Sequence, residues 1–408
     1  MTEIPHHRPT IFETGMTALV IGVIGVAASF AGWGYSAIGA HPDPGAFFRG
    51  WLFAWLFWTG ISLGSMAIVM LFHDTGGKWG VLTSRMGEHA ANVLPLMMVL
   101  FIPLLFGLKY VYPWADPAHL KIDPVLQLRH PYLNGLWFAV RSYFYLTVFA
   151  VMSFLLRRWS LASDTDDSVD YAGRQSRLSA GGMVFYFLLM TLASIDWIMS
   201  REAHWYSTVY GFITVVGQAL SGMCFLLIML WAMHDKPPFD EAVEPKVVND
   251  EGTLLLLLVV LWAYMALSQL LVVWMGNLQV DITWYIHRTY SYWRAVCWVL
   301  VICHFFIPFC LLLRQSNKRD PRRLGMIALA LLFLRVVDMA WMVLPSSDNR
   351  QIAQGVSWMD ATALIGIGGL WFAVFTWLAS SHPLLPIRRA IDLGLIKDGS
   401  TSTSSSLG

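Results

Sequence analysis

The residues of this chain able to do chemistry are few, and most are ionisable groups set inside long apolar runs. Arg141 and Asp196 each stand within such a run, where insertion scales penalise a charge by about 2.5–3.5 kcal/mol and a charge is normally paired. Counted from the ends of their runs, both fall in the half farther from the side of the termini. Two antiparallel neighbours would hold them at one depth as an ion pair. Arg294 and Asp338 repeat the arrangement four runs later, although Arg335 offers Asp338 a partner three residues away on its own helix. These side chains read as buried pairs or as stations of a proton path. His73 and Asp74 close one run while Glu88 and His89 open the next. Two acids and two imidazoles at one entrance could load protons. The plainer reading is that Glu88 stands in a first turn, where the helix dipole favours an acid, and that His73 and Asp74 end a helix. On the other side Arg201, Glu202 and His204 follow Asp196 in a loop. An acid one turn below an exposed Glu and His could exchange protons with a substrate, or the loop is simply solvated.

Resident cofactors find few ligands. A b-type haem in a membrane needs two histidines facing each other at matching depth. Of the 12 His only His73, His89 and His304 fall in or beside apolar runs, and His304 has no partner at mid-depth. Cys224, Cys297, Cys303 and Cys310 lack CxxC or CxxCH spacing and read as small buried hydrophobes. No phosphate-binding glycine loop occurs. The expectation is a chain without haem, iron-sulfur cluster or metal of its own.

The elements that position these groups are transmembrane helices. The 408 residues are 57% hydrophobic and 13% charged, against roughly 25% charged in soluble domains. Such a surplus of apolar surface needs lipid as solvent. Ten runs of about 20 residues or more span 15–38, 47–72, 87–108, 133–156, 179–199, 208–233, 253–276, 290–313, 324–344 and 357–380. A polar start and a first run too long for a signal-peptide core make the first helix an expected anchor. Most of the 27 Lys and Arg fall on the side shared by both termini, above all in 157–177 and 314–323, so both termini are expected in the cytoplasm. The largest loop of the other side, 110–132, is rich in proline, and the Ser/Thr-rich tail 399–408 reads as disordered. Trp51, Trp114, Trp205, Tyr206, Trp284 and Trp293 lie near span ends, as interfacial anchors would. Gly60 with Gly64, and Gly22, Gly25 and Gly32, predict close helix packing. A net charge of +1 leaves no basic excess for nucleic acid.

The recurring Arg/Asp pattern suggests tandem four-helix units. The expected fold is therefore an all-α integral membrane protein with a flanking helix (15–38), a first four-helix bundle (47–202), a second (208–345) and a tenth, flanking helix (357–380). Three stretches carry a resemblance. Residues 194–211 read Ser-Ile-Asp-Trp-Ile-Met-Ser-Arg-Glu-Ala-His-Trp-Tyr-Ser-Thr-Val-Tyr-Gly, 57–80 hold a Trp-Thr-Gly-Ile-Ser-Leu-Gly core, and 85–107 complete the set. Together they resemble the NrfD/PsrC-like family of membrane subunits, as found in alternative complex III, a bacterial quinol:cytochrome c oxidoreductase.

The resemblance implies the two-bundle fold and the bacterial inner membrane. It implies as partners a paralogous NrfD-like subunit, a periplasmic iron-sulfur subunit, multihaem and monohaem cytochrome c subunits and a terminal oxidase, with menaquinol or ubiquinol as substrate of the complex. It also implies a quinol site at the outer end of the first bundle, built from His and acidic side chains. In this chain Asp196 matches that role, and Glu202 and His204 stand in its vicinity. A redox-silent subunit that shapes the complex and carries a proton path fits best. A quinol-binding subunit in its own right and a stand-alone secondary transporter remain the alternatives; parallel repeats and few prolines within spans argue against the transporter.

Overall fold

The computed structural model describes residues 8–38, 43–166, 168–202, 204–289, 292–345 and 356–396. Among them no strand occurs, and ten helices are long and apolar enough to cross a membrane. They are α1 (Glu13–Ser36), α2 (Pro44–Thr75), α3 (Val81–Phe106), α4 (Gly135–Ala162), α5 (Tyr171–Arg201), α6 (Tyr210–Met233), α7 (Pro245–Gly276), α8 (Trp293–Leu313), α9 (Pro321–Val343) and α10 (Trp358–Ser380). The chain is an all-helical, multi-pass membrane protein. The disordered tail expected at 399–408 lies outside the described residues.

Local sequence sets the helix limits. Asp43, Asn134, Asp170 and Asp320 cap α2, α4, α5 and α9 by accepting from backbone N–H groups of the first turn, and Ser357 and Asp360 form a capping box on α10. Proline stands at the first positions of α2, α7 and α9, where no N–H is needed. Gly76 and Gly77, at φ +69° and +89°, turn the chain from α2 into α3. Two helices are irregular. α3 is interrupted near Asn92 and at Phe101, each next to a proline. In α8 the stretch Leu300–Phe306 is π-helical, with the Ile307 N–H reaching back to the Ile302 carbonyl just before Pro308.

Helices α2 and α6 form the axis. In their most apolar windows 89% and 83% of residues are buried, against 22% for α8, which therefore faces outward. α2 packs on α3, α5, α6 and α10, and α6 packs on α5, α7 and α9; α4 joins α3 to α5, α8 joins α7 to α9, and α1 lies along α10. The glycines explain two close crossings. A Cβ on Gly25 would stand 2.6 Å from the Gly366 Cα, and one on Gly64 would collide with the Gln218 backbone. These are the small-residue contacts on which helices associate in lipid.

Several expectations are corrected. Trp51, Trp114, Trp205, Trp284 and Trp293 are buried rather than set in the interface. Trp114 packs on Phe138 and Trp205 stacks on Trp284, and Trp51 and Trp114 donate to the Leu100 carbonyl and the Ser200 hydroxyl at 2.9 and 3.1 Å. Only Tyr206 of that set is exposed. Of the cysteines Cys224 alone is buried, because Cys297, Cys303 and Cys310 ride on the outward α8. Helix α3 starts at Val81 and α7 at Pro245, each more than a turn earlier than hydropathy indicates.

Candidate functional site

Arg141 stands about two turns from the start of α4, and Asp196 lies in the last regular turn of α5, just before its 3₁₀ end at Met199–Arg201. The Asp196 side chain is fully buried and the Arg141 side chain is 18% exposed. Arg141 holds the carboxylate in a two-pronged grip, Nε to Oδ2 at 2.8 Å and Nη2 to Oδ1 at 2.9 Å. Tyr145 adds its hydroxyl to Oδ2 at 3.1 Å. The guanidinium is steadied by the Tyr132 carbonyl at 2.9 Å and lies over the Tyr132 ring, 3.8 Å from its centroid. Burial and the nearby Asp196 carboxylate push the Tyr132 phenol up in pKa, so it stays protonated. Around the pair, Trp197 donates to Ser142 and Tyr112 to the Trp197 carbonyl, both at 2.9 Å.

A second set lies deeper, among α6, α7, α8 and α9. Arg335 pairs with Asp338 one turn on and donates to the Ser221 hydroxyl at 3.2 Å. The Trp262 indole donates to Asp338 Oδ2 at 3.2 Å. His304 stands edge-on to Trp262 with centroids 4.1 Å apart. It sits in the π-helical stretch, fully buried, and neither ring nitrogen has a hydrogen-bond partner among the described residues. The expected pairing of Arg294 with Asp338 is not formed. Arg294 occupies the first turn of α8 on its exposed side, whereas Arg335 and Asp338, three apart, share one buried face.

The third set joins α2, α3 and α4 on the face where α2 ends and α3 begins, the side that carries most of the Lys and Arg. Glu88 lies 3.6 Å from His73 and 3.5 Å from Arg85 Nε, and Arg85 reaches Asp164 at 3.0 Å. Glu88 is not in a first turn and His89 is not at the surface: with α3 starting at Val81, both are buried inside it. Asp74 is exposed and takes no part. Arg389, from the segment after α10, lies 3.2 Å from the other His73 nitrogen.

The fourth set lies on the opposite face. Glu202 is not solvated: Arg288 binds it at 2.9 Å and His287 stands at 3.8 Å. Burial would raise its carboxyl, but Arg288 and His287 outweigh burial and hold it down at about 2. Arg288 and Arg201 also donate to the Met342 and Val343 carbonyls at the end of α9, where a helix dipole favours cations. His204 is exposed and turned to Asp123 at 2.8 Å, outside the Asp196 cluster.

Sequence reasoning missed Glu251, Arg85 and Arg288. Glu251 is fully buried in α7 and accepts from Thr83 of α3 at 2.8 Å. Pro245 after Glu244 was the available signal that α7 begins ahead of it. Among the described residues no group of three His, Cys, Asp or Glu is arranged to hold a metal ion. A scan of known protein families and a search of curated proteins return no match for this chain.

Proposed function

We propose that this chain is a cofactor-free membrane subunit of a respiratory quinol:cytochrome c oxidoreductase of the alternative complex III kind, similar to its ActF-type subunit. Its role is to support quinol oxidation and to carry a proton path. The observation that carries the reading is the presence of two separate Arg–Asp pairs with buried carboxylates, Arg141 with Asp196 and Arg335 with Asp338. Ionisable groups retained inside a membrane protein at such a cost mark ion or proton routes. The contact pattern supports two tandem bundles: α2 to α5 close one ring and α6 to α9 another, with α1 and α10 alongside.

A redox-silent role is favoured over a quinol site at Asp196. Three of the about four acceptor positions of that carboxylate are filled by Arg141 and Tyr145, which leaves a quinol hydroxyl at most one, on Oδ1 beside the guanidinium. The chain would sit in the bacterial inner membrane with both termini in the cytoplasm. Its partners would be a paralogous NrfD-like subunit, an iron-sulfur subunit, multihaem and monohaem cytochromes c, and a terminal oxidase. Affinity purification of the tagged chain from its native membrane tests this. Haem c absorbance and iron-sulfur protein in the eluate, at fixed ratio to the chain, are expected. A chain that purifies alone and transports a solute in vesicles would replace this reading with that of a transporter.

A further inference from the structure

We propose that the cluster of Arg85, His89, Arg157 and His382, where α3, α4 and the segment after α10 meet, binds a phosphate group, of the kind an anionic phospholipid or inorganic phosphate carries. Arg85 and His89, one turn apart on α3, are both fully buried and share one side of the helix. Arg157 of α4 and His382, just beyond α10, stand side by side, with Arg157 Nη2 3.3 Å from His382 Nδ1. His382 is exposed and Arg157 half-buried, so the cluster reaches the surface at these two side chains. The charged groups that act on the His89 ring are Arg157, Arg85 and His382, all of them cationic or able to become so.

The unfilled hydrogen-bonding positions point the same way. Arg85 Nη1, Arg157 Nε and both His89 nitrogens are buried without a partner among the described residues. Arg nitrogens can only donate, and neutral His supplies one donor more. Of the neighbouring acids, Asp164 takes Arg85 Nη2 at 3.0 Å, while Glu88 stands 3.6 Å from His73 and 3.5 Å from Arg85 Nε with its Oε2 lacking a hydrogen-bond partner among the described residues. One carboxylate thus faces the donors of Arg85, Arg157 and His89 and leaves most of them unfilled. A set of convergent donors wants an acceptor-rich ligand, and a phosphate offers several oxygens to arginine forks. Burial and the two nearby arginines also push His382 down in pKa, a repulsion that a bound anion would relieve. The depth suits a headgroup, because Arg85 is only about 6 Å along α3 from its start at 1.5 Å per residue. Basic pockets between helices at this level hold anionic lipid headgroups.

The test uses the chain in its native assembly, purified in mild detergent. Phospholipid retained per chain is counted by native mass spectrometry for wild type, for Arg157→Gln/His382→Gln, and for Arg158→Gln, an exposed neighbour that changes the same net charge. Loss of about one phospholipid in the double variant, with Arg158→Gln unchanged, is expected if a lipid is the source. Delipidated wild type is then titrated with inorganic phosphate and, separately, reconstituted into phosphatidylglycerol nanodiscs, with the thermal midpoint as readout. A rise with either probe that the double variant lacks supports the site, and the probe that produces it names the source. Arg157→Lys, which keeps the charge and loses the fork, should fold and lose part of the response. Equal lipid retention and equal thermal response in wild type and the Arg157 variants would overturn the proposal.

Discussion

Separating Arg141 from Asp196 should destabilise the protein unequally from the two sides. In Arg141→Gln the carboxylate loses both prongs of the guanidinium and keeps only phenol partners, Tyr145 and Tyr132, in a site with no exposure. Breaking a buried pair in this way costs about 3–5 kcal/mol in soluble proteins, whereas double-mutant cycles on membrane proteins give smaller couplings, up to about 1.7 kcal/mol for hydrogen bonds. A loss of about 3 kcal/mol is the expected middle ground. Asp196→Asn strands a cation instead, but Arg141 is partly exposed, keeps the Tyr132 carbonyl and ring, and can lean toward water. Its expected loss is smaller, about 2 kcal/mol by the same comparison. The double variant places two amides where the pair stood and leaves no charge unpaired, so it should be more stable than Arg141→Gln alone. Unfolding of the purified protein in mixed micelles, as a double-mutant cycle, measures the coupling. If the double variant loses the sum of the two single losses, the pairing contributes nothing and the reasoning fails.

Further outcomes follow from other parts of the structure. Glu202 has its carboxyl lowered from an ordinary 4.5 to about 2, so its ion pair contributes stability above pH 4.5 that is lost as pH falls through about 2. That shift corresponds to about 3 kcal/mol, and Glu202→Gln should flatten the acid side of the stability profile relative to wild type; a profile unchanged by the substitution contradicts it. Gly64→Ala should sharply lower the yield of folded protein, since the new methyl meets the Gln218 backbone, while Gly60→Ala, whose nearest neighbour is a side-chain carbon at 3.4 Å, should be tolerated. Equal yields, read by size-exclusion chromatography, would dismiss the α2–α6 crossing. Reporter fusions between α4 and α5 and between α8 and α9 should report the cytoplasm, as the basic residues at the flanking helix ends and in 314–319 require.

Hydropathy made the ten helices legible, because an apolar run of that length has few other uses. It failed where helices extend past their apolar cores. Arg85 and Glu251 look like loop residues to a hydropathy window and Glu88 like a first-turn acid, yet neighbouring helices, the Arg85–Glu88 attraction and the Thr83 hydroxyl on Glu251 keep them inside. Sequence depth suggested both Arg/Asp pairings but carries no information on which way a side chain faces around its helix. Arg141 and Asp196 face each other, and Arg294 does not face Asp338. The tryptophans erred for a related reason, since position near a span end is shared by interfacial anchors and by rings that cap the core from within.

The central claim is that this chain serves quinol-dependent reduction of cytochrome c without a redox centre of its own. Quinol:cytochrome c turnover in membranes from a strain lacking the chain, and from the same strain carrying it again, tests this directly. The account predicts that turnover is lost with the chain and returns with it, while the haem spectrum of the purified chain stays blank; full turnover in its absence would contradict it.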